Sequence, residues 1–133
     1  MCKAQNLGGG RPMRLRRDFT FDAAHNLVAY HGKCERLHGH TYRLGVTLEG
    51  TPDEEGMVLD FVELKRIVRE QVLDQVDHAY LNDLVPQPTA ENLARWAFQR
   101  LDAPLHRPHC RLTSVEVFET ADSSVTFYRE DLS

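Results

Sequence analysis

Apolar and polar residues partly alternate over residues 14–21, with Leu15, Phe19 and Phe21 set among Arg16, Arg17, Asp18 and Thr20, and this predicts a strand. The alternation is clearer over residues 40–48, where Tyr42, Leu44, Val46 and Leu48 fall on one face of a second strand. Gly50-Thr51-Pro52-Asp53 is turn chemistry, and the two strands are expected to pair as a long hairpin-like unit. The spacing then becomes helical. Asp60 stands three residues before Glu63, an acidic variant of the capping box, and Phe61, Leu64, Val68 and Val72 mark a packed face. A short loop is expected over residues 77–88. Thr89 is a suitable N-cap for a second helix, and Pro88 discourages an earlier start. That helix carries Leu93, Trp96, Ala97 and Leu101 on its face, with Arg100 as the exception, and Pro104 and Pro108 are expected to end it. Residues 115–120 and 124–128 read as a closing hairpin. The order is ββααββ, an α+β fold with an antiparallel sheet and both helices on one face. Unpaired sheet edges are a liability in a monomer, and joining subunits edge to edge would cover them.

The 133 residues fit one domain. Residues 1–12 contain Gly8-Gly9-Gly10 and no apolar period, so they read as a flexible tail before a single domain over 13–133. No run approaches the roughly 18 apolar residues of a membrane span, and the N-terminus lacks an apolar signal core. A soluble, cytoplasmic protein with no membrane partner is expected. The net charge of -4 argues against a general nucleic-acid surface but leaves room for a local basic pocket. Cys2, Cys34 and Cys110 are odd in number and irregular in spacing, which is a poor disulfide framework. Cys2 reads as a tail thiol, and Cys110 as a small core or loop residue.

His38-Gly39-His40 changes the picture. Residues two apart on an extended segment point to the same side, so both imidazoles can reach one ion. His25 lies just after the first strand and would come close if the strands pair. Three histidines with an open fourth position form the pattern of a catalytic zinc site, although iron, nickel or copper also suit imidazole. Cys34, four residues before His38, stands where a thiol could face a metal-bound substrate. Alternatively it ligates the metal itself, which would close the site. His31, His106 and His109 read as ordinary polar residues.

Asp77-His78 is a second candidate constellation, since a carboxylate beside an imidazole can orient it and raise its basicity. Neighbours in sequence need not touch, and a loop aspartate beside a surface histidine is the plainer reading. Glu91 lies in the first turn of the second helix, where it also suits the helix dipole. Glu119 lies at a strand end, where a carboxylate can take paired N–H groups of a ligand.

Six segments, in order, resemble the family of 6-pyruvoyl- and 6-carboxytetrahydropterin synthases: Phe21-Asp22-Ala23-Ala24-His25, Cys34-Glu35-Arg36-Leu37-His38-Gly39-His40-Thr41-Tyr42, Gly56-Met57-Val58-Leu59-Asp60-Phe61, Val76-Asp77-His78-Ala79-Tyr80-Leu81-Asn82, Pro88-Thr89-Ala90-Glu91-Asn92-Leu93-Ala94 and Val117-Phe118-Glu119-Thr120. Together they span about residues 14 to 129. The resemblance implies the tunnelling fold, an oligomeric barrel, and a homohexamer built from two trimers with active sites between subunits. It implies zinc (Zn2+) at His25, His38 and His40. It gives Cys34 as the catalytic thiol, with Asp77 and His78 as its acid–base partners. Glu119 becomes the carboxylate that anchors the pterin, and Thr89 and Glu91 become further pocket positions. The implied substrate is a reduced pterin, 7,8-dihydroneopterin triphosphate. Lys33 and Arg36 suit its phosphates by charge.

The segment Lys33-Cys34-Glu35-Arg36-Leu37-His38-Gly39-His40 is most similar to the bacterial 6-carboxytetrahydropterin branch, which serves queuosine synthesis. Glu35 directly after Cys34 keeps another outcome open, because some members use a glutamate here to cleave the side chain to 6-hydroxymethyl-7,8-dihydropterin for folate. Pyruvoyltetrahydropterin formation is a third outcome. A non-catalytic pterin- or metal-binding module is the alternative outside enzymology.

Overall fold

The computed structural model describes residues 11–28 and 36–132. The expectations for residues 1–10, for His31 and for Lys33, Cys34 and Glu35 therefore lie outside the described residues. Two long strands, β1 (Met13–His25) and β2 (His38–Gly50), pair antiparallel through all thirteen positions, from Met13 opposite Gly50 to His25 opposite His38. Both are longer than the alternation predicts, and His25 is the last residue of β1 rather than a residue beyond it.

The first helix, α1 (Phe61–Val68), starts where Asp60 caps it by accepting a bond from the Val62 amide. The reciprocal half of the expected capping box is replaced, since Glu63 pairs with Arg66 instead. Phe61 is exposed, contrary to expectation, because it lies in the first turn before the helix reaches the core. From Val68 the chain widens into a π-helical stretch (Arg69–Leu73) and closes with one α-turn (Asp74–Val76). The hydrophobic spacing explains this. Leu64, Val68, Val72 and Val76 recur every four residues and all are buried. On a 3.6-residue helix each such step drifts by about 40° around the axis. The wider π winding turns the last residues back toward the core, so that Val76 stays buried and Asp77 follows it at the edge of β1.

The expected loop over residues 77–88 contains a two-residue strand, β3 (Ala79–Tyr80), parallel to β1 at Ala23 and Ala24, and a 3-10 turn (Leu81–Asp83). Helix α2 (Ala90–Leu105) is capped by Thr89, whose hydroxyl accepts from the Asn92 amide. It buries Leu93, Ala97 and Leu101, while Trp96 is half-buried under Arg100. Pro104 does not stop α2 but sits inside its last turn. Its fixed φ is helical, only its N–H is lost, and its carbonyl is taken by the Arg107 guanidinium at 2.8 Å. Strands β4 (Cys110–Thr120) and β5 (Ser123–Tyr128) form the closing hairpin. The sheet order is β3-β1-β2-β4-β5, antiparallel except at β3.

The helices cover one face of this sheet. Phe19, Phe21 and Ala23 of β1, Tyr42, Leu44, Val46 and Leu48 of β2, and Leu112, Val115 and Val117 of β4 fill the core beneath them. Cys110 is buried there as a small apolar residue. The other face is charged, with Arg16 and Arg43 both bound to Asp18 and Arg16 also bound to Glu116. His25, His38 and His40 share the face and alternation of the core residues, so the core stripe ends in imidazoles.

Candidate active site

Antiparallel register brings the three histidines together. His25 pairs directly with His38, and Ala23 with His40, at the open end of β1 and β2. The ring centroids lie 4.7 Å (His25–His38), 5.0 Å (His25–His40) and 4.8 Å (His38–His40) apart. Their ligating nitrogens lie within 4.8 Å of one another. His25 is buried and the other two are half-buried.

The outer hydrogen bonds set the tautomers. His25 Nδ1 donates to the Pro88 carbonyl at 2.8 Å, with the Tyr42 hydroxyl 3.2 Å away. His38 Nδ1 donates to the Arg36 carbonyl, also at 2.8 Å. A carbonyl can only accept, so each Nδ1 carries a proton, and the tautomer this selects turns its Nε2 lone pair inward. The two Nε2 atoms face each other at 3.2 Å. Tetrahedral zinc with Zn–N bonds of about 2.0–2.1 Å places two ligand nitrogens roughly 3.3 Å apart. Among the described residues, the three imidazoles therefore offer a donor set that suits a tetrahedral cation.

Asp77 and His78 form a separate cluster at the outer edge of β1. His78 Nδ1 lies 3.1 Å from Asp77 Oδ1, so these neighbours do touch. The same carboxylate oxygen accepts the Asp22 amide at 3.0 Å. That N–H holds the Asp77 carboxyl below the ordinary aspartate range, and the adjacent His78 lowers it further. The His78 amide donates to the Asp22 carbonyl at 2.5 Å, and His78 adopts the left-handed conformation (φ 59°). Such a backbone is uncommon for a residue other than glycine, and it needs surroundings that enforce it. A groove of about 470 Å³ runs beside the pair, lined by Asp22, Gly39, His40, Thr41 and His78 among others.

The 6-pyruvoyl tetrahydropterin synthase family model matches residues 14–130 of the sequence. The chain belongs to this family. Among its relatives, the 6-carboxy-5,6,7,8-tetrahydropterin synthase of Synechocystis is 41% identical over 88% of this chain and 94% of its own length. The dihydroneopterin monophosphate aldolase of Pyrococcus furiosus is 42% identical over 62% of this chain and 68% of its own. The solved 6-pyruvoyl tetrahydropterin synthase of Caenorhabditis elegans superposes with a TM-score of 0.76 at 32% identity, covering 88% of this chain and 95% of that one.

Of the remaining expected residues, Glu119 and the Arg36 backbone contact the triad. Glu119, at the end of β4, brings Oε1 to 3.6 Å from His40 Nε2, an ion-pair contact beyond hydrogen-bond distance. The Thr89 hydroxyl is engaged as the α2 cap, and Glu91 is exposed in the first turn of α2. Arg36 is exposed, and its carbonyl holds His38. Sequence reasoning missed the Pro88 carbonyl, Tyr42 and Asp22. Tyr42 was legible as the next position of the His38–His40 alternation. The other two contacts are made by backbone groups, which leave no mark in residue identity.

Proposed function

We propose that this chain is a zinc-dependent lyase that converts 7,8-dihydroneopterin triphosphate and water to 6-carboxy-5,6,7,8-tetrahydropterin, acetaldehyde and triphosphate, breaking a carbon–oxygen bond to release triphosphate and a carbon–carbon bond to release acetaldehyde. The reading places it in the cytoplasm, in queuosine-type 7-deazapurine synthesis. The observation that carries it is the convergence of His25, His38 and His40, in a chain that covers nearly the whole of a relative named for this product. Bound at the triad, zinc would supply a Lewis acid for the side-chain hydroxyls of the substrate.

The protein's own groups divide the remaining work. Glu119 takes the paired N–H groups of the pterin ring, with Thr89 and Glu91 further along the pocket. Lys33 and Arg36 meet the phosphates as cations. Cys34, as thiolate, removes a proton from a side-chain carbon. His78, held by ionised Asp77, carries the second proton. The triad lies on the helix-covered face while Asp77 and His78 sit at the β1 edge beside exposed-face Asp22. This separation supports active sites completed between subunits. Among the described residues, most of β1 and all of β5 have no partner on their outer edges, which supports closure into a barrel by oligomerisation, as a hexamer of two trimers.

One observation favours a second reading. The Pyrococcus furiosus relative is named an aldolase, and Glu35 beside Cys34 offers a carboxylate for side-chain cleavage to 6-hydroxymethyl-7,8-dihydropterin. Mass identification of the products from dihydroneopterin triphosphate separates the two. Acetaldehyde with carboxytetrahydropterin supports the lyase, and hydroxymethyl-dihydropterin replaces it with the aldolase reading.

A further inference from the structure

Asp22 touches both members of the acid–base pair, yet its own carboxylate is bound elsewhere. Its backbone amide donates to Asp77 Oδ1 at 3.0 Å, and its carbonyl accepts the His78 amide at 2.5 Å. Its side chain crosses to β2, where the Thr41 hydroxyl donates to Asp22 Oδ1 at 2.5 Å. Asp22 and Thr41 are direct cross-strand partners in the β1–β2 ladder. Polar atoms of Asp22, Asp77 and His78 all lie within 4.8 Å of one another.

Stability alone does not account for this arrangement. Two carboxylates held this close repel, and His78 is kept in a left-handed backbone at the same point. A fold indifferent to the pair's geometry would place neither there. The peptide of Asp22 can clamp the turn only while the end of β1 keeps its position. The β1–β2 ladder holds that position, and the Thr41–Asp22 bond adds a side-chain tie to it from the neighbouring strand.

We propose that Asp22 is a positioning residue for Asp77 and His78, with Thr41 as the anchor through which its side chain acts. The proposal rests on the acid–base reading above. The Asp22 side chain holds the β1 peptide, the peptide sets the Asp77 carboxylate and the His78 backbone, and these set where the imidazole can reach. No proton passes through Asp22.

The test uses the full-length, zinc-loaded protein with dihydroneopterin triphosphate, and compares Asp22→Ala, Thr41→Val, the double variant and Asp22→Asn. His78→Ala serves as the reference for loss of the pair. Asp22→Ala and Thr41→Val are each expected to lower kcat about tenfold, with KM and zinc content changed by less than about twofold. The double variant is expected to lose no more than either single one, since both break one bond. Asp22→Asn keeps an acceptor for Thr41 and is expected to recover most of the loss. Independently of turnover, exchange of the His78 amide with solvent speeds up in Asp22→Ala and Thr41→Val but not in Asp22→Asn. Losses that multiply in the double variant, or an Asp22→Ala protein with wild-type kcat and a protected His78 amide, overturn the proposal. If His78→Ala turns over normally, the acid–base reading fails instead, and amide exchange alone then decides whether Asp22 positions the turn.

Discussion

His25 and His38 stand directly opposite each other across β1 and β2, and their Nε2 atoms approach to 3.2 Å while a backbone carbonyl holds each Nδ1. Two inward lone pairs at that distance repel each other unless a cation or a proton lies between them. Metal binding should therefore stabilise the fold. Zinc at a hundredfold excess over its Kd is expected to add about 2.7 kcal/mol. Scanning calorimetry should show Tm rising with zinc in the wild type and staying flat in His38→Ala. An equal rise in both would mean that zinc binds elsewhere.

Glu119 Oε1 lies 3.6 Å from Nε2 of His40, one of the three histidines proposed to hold zinc. If it anchors the pterin, Glu119→Gln should weaken a charge-assisted bond worth roughly 1.5–3 kcal/mol, raising KM about tenfold or more. Zinc content should be unchanged. Steady-state kinetics with parallel metal analysis checks both. Loss of zinc in this variant would make Glu119 part of the metal site instead.

Asp77 has a pH signature that separates its two partners. The Asp22 N–H is the largest single cause of its lowered pKa, and His78 adds its charge and its hydrogen bonds. A lowered folded pKa gives stability that is present above the ordinary aspartate range and lost as the pH falls through the folded value. Carboxyl NMR titration should find the Asp77 midpoint below that of ordinary aspartates. In His78→Ala it should rise only part of the way. A full return to the ordinary range would assign the shift to His78 rather than to the Asp22 amide.

Gly50 closes the far end of β2 against β4 with no space for a side chain. A Cβ there would stand 2.3 Å from the His109 carbonyl oxygen and 2.8 Å from the Cys110 Cα. Backbone cannot swing aside as a side chain can. Gly50→Ala is expected to cost about 1–3 kcal/mol, read as a lower denaturation midpoint at constant slope. Its distance from the triad predicts unchanged zinc affinity.

Much of this architecture is legible in the residues. Thr89 with Leu93, Ala97 and Leu101 announces α2, and the alternation through Tyr42, Leu44, Val46 and Leu48 announces β2. The same alternation, carried back two and four positions, puts His40 and His38 on the core face, and antiparallel register then brings in His25. What stayed hidden depends on backbone groups or on small departures from ideal geometry. β3 is two residues held by pairing to β1, and the Asp22 clamp uses a peptide N–H and a carbonyl. The π-helical stretch was written into the four-residue spacing of Leu64, Val68, Val72 and Val76, but that spacing reads as an ordinary helix unless its angular drift is followed. Pro104 misled because a proline in the last turn forfeits one N–H without stopping the helix.

The most direct test of the account is turnover of dihydroneopterin triphosphate measured against zinc occupancy. Metal-stripped protein is titrated with zinc, and the products are quantified by mass at each point. The account predicts that carboxytetrahydropterin and acetaldehyde form in proportion to bound zinc, reach a plateau at a single zinc per chain and vanish in His38→Ala. Full turnover by the stripped protein, or a fully loaded protein that returns the substrate unchanged, would contradict it.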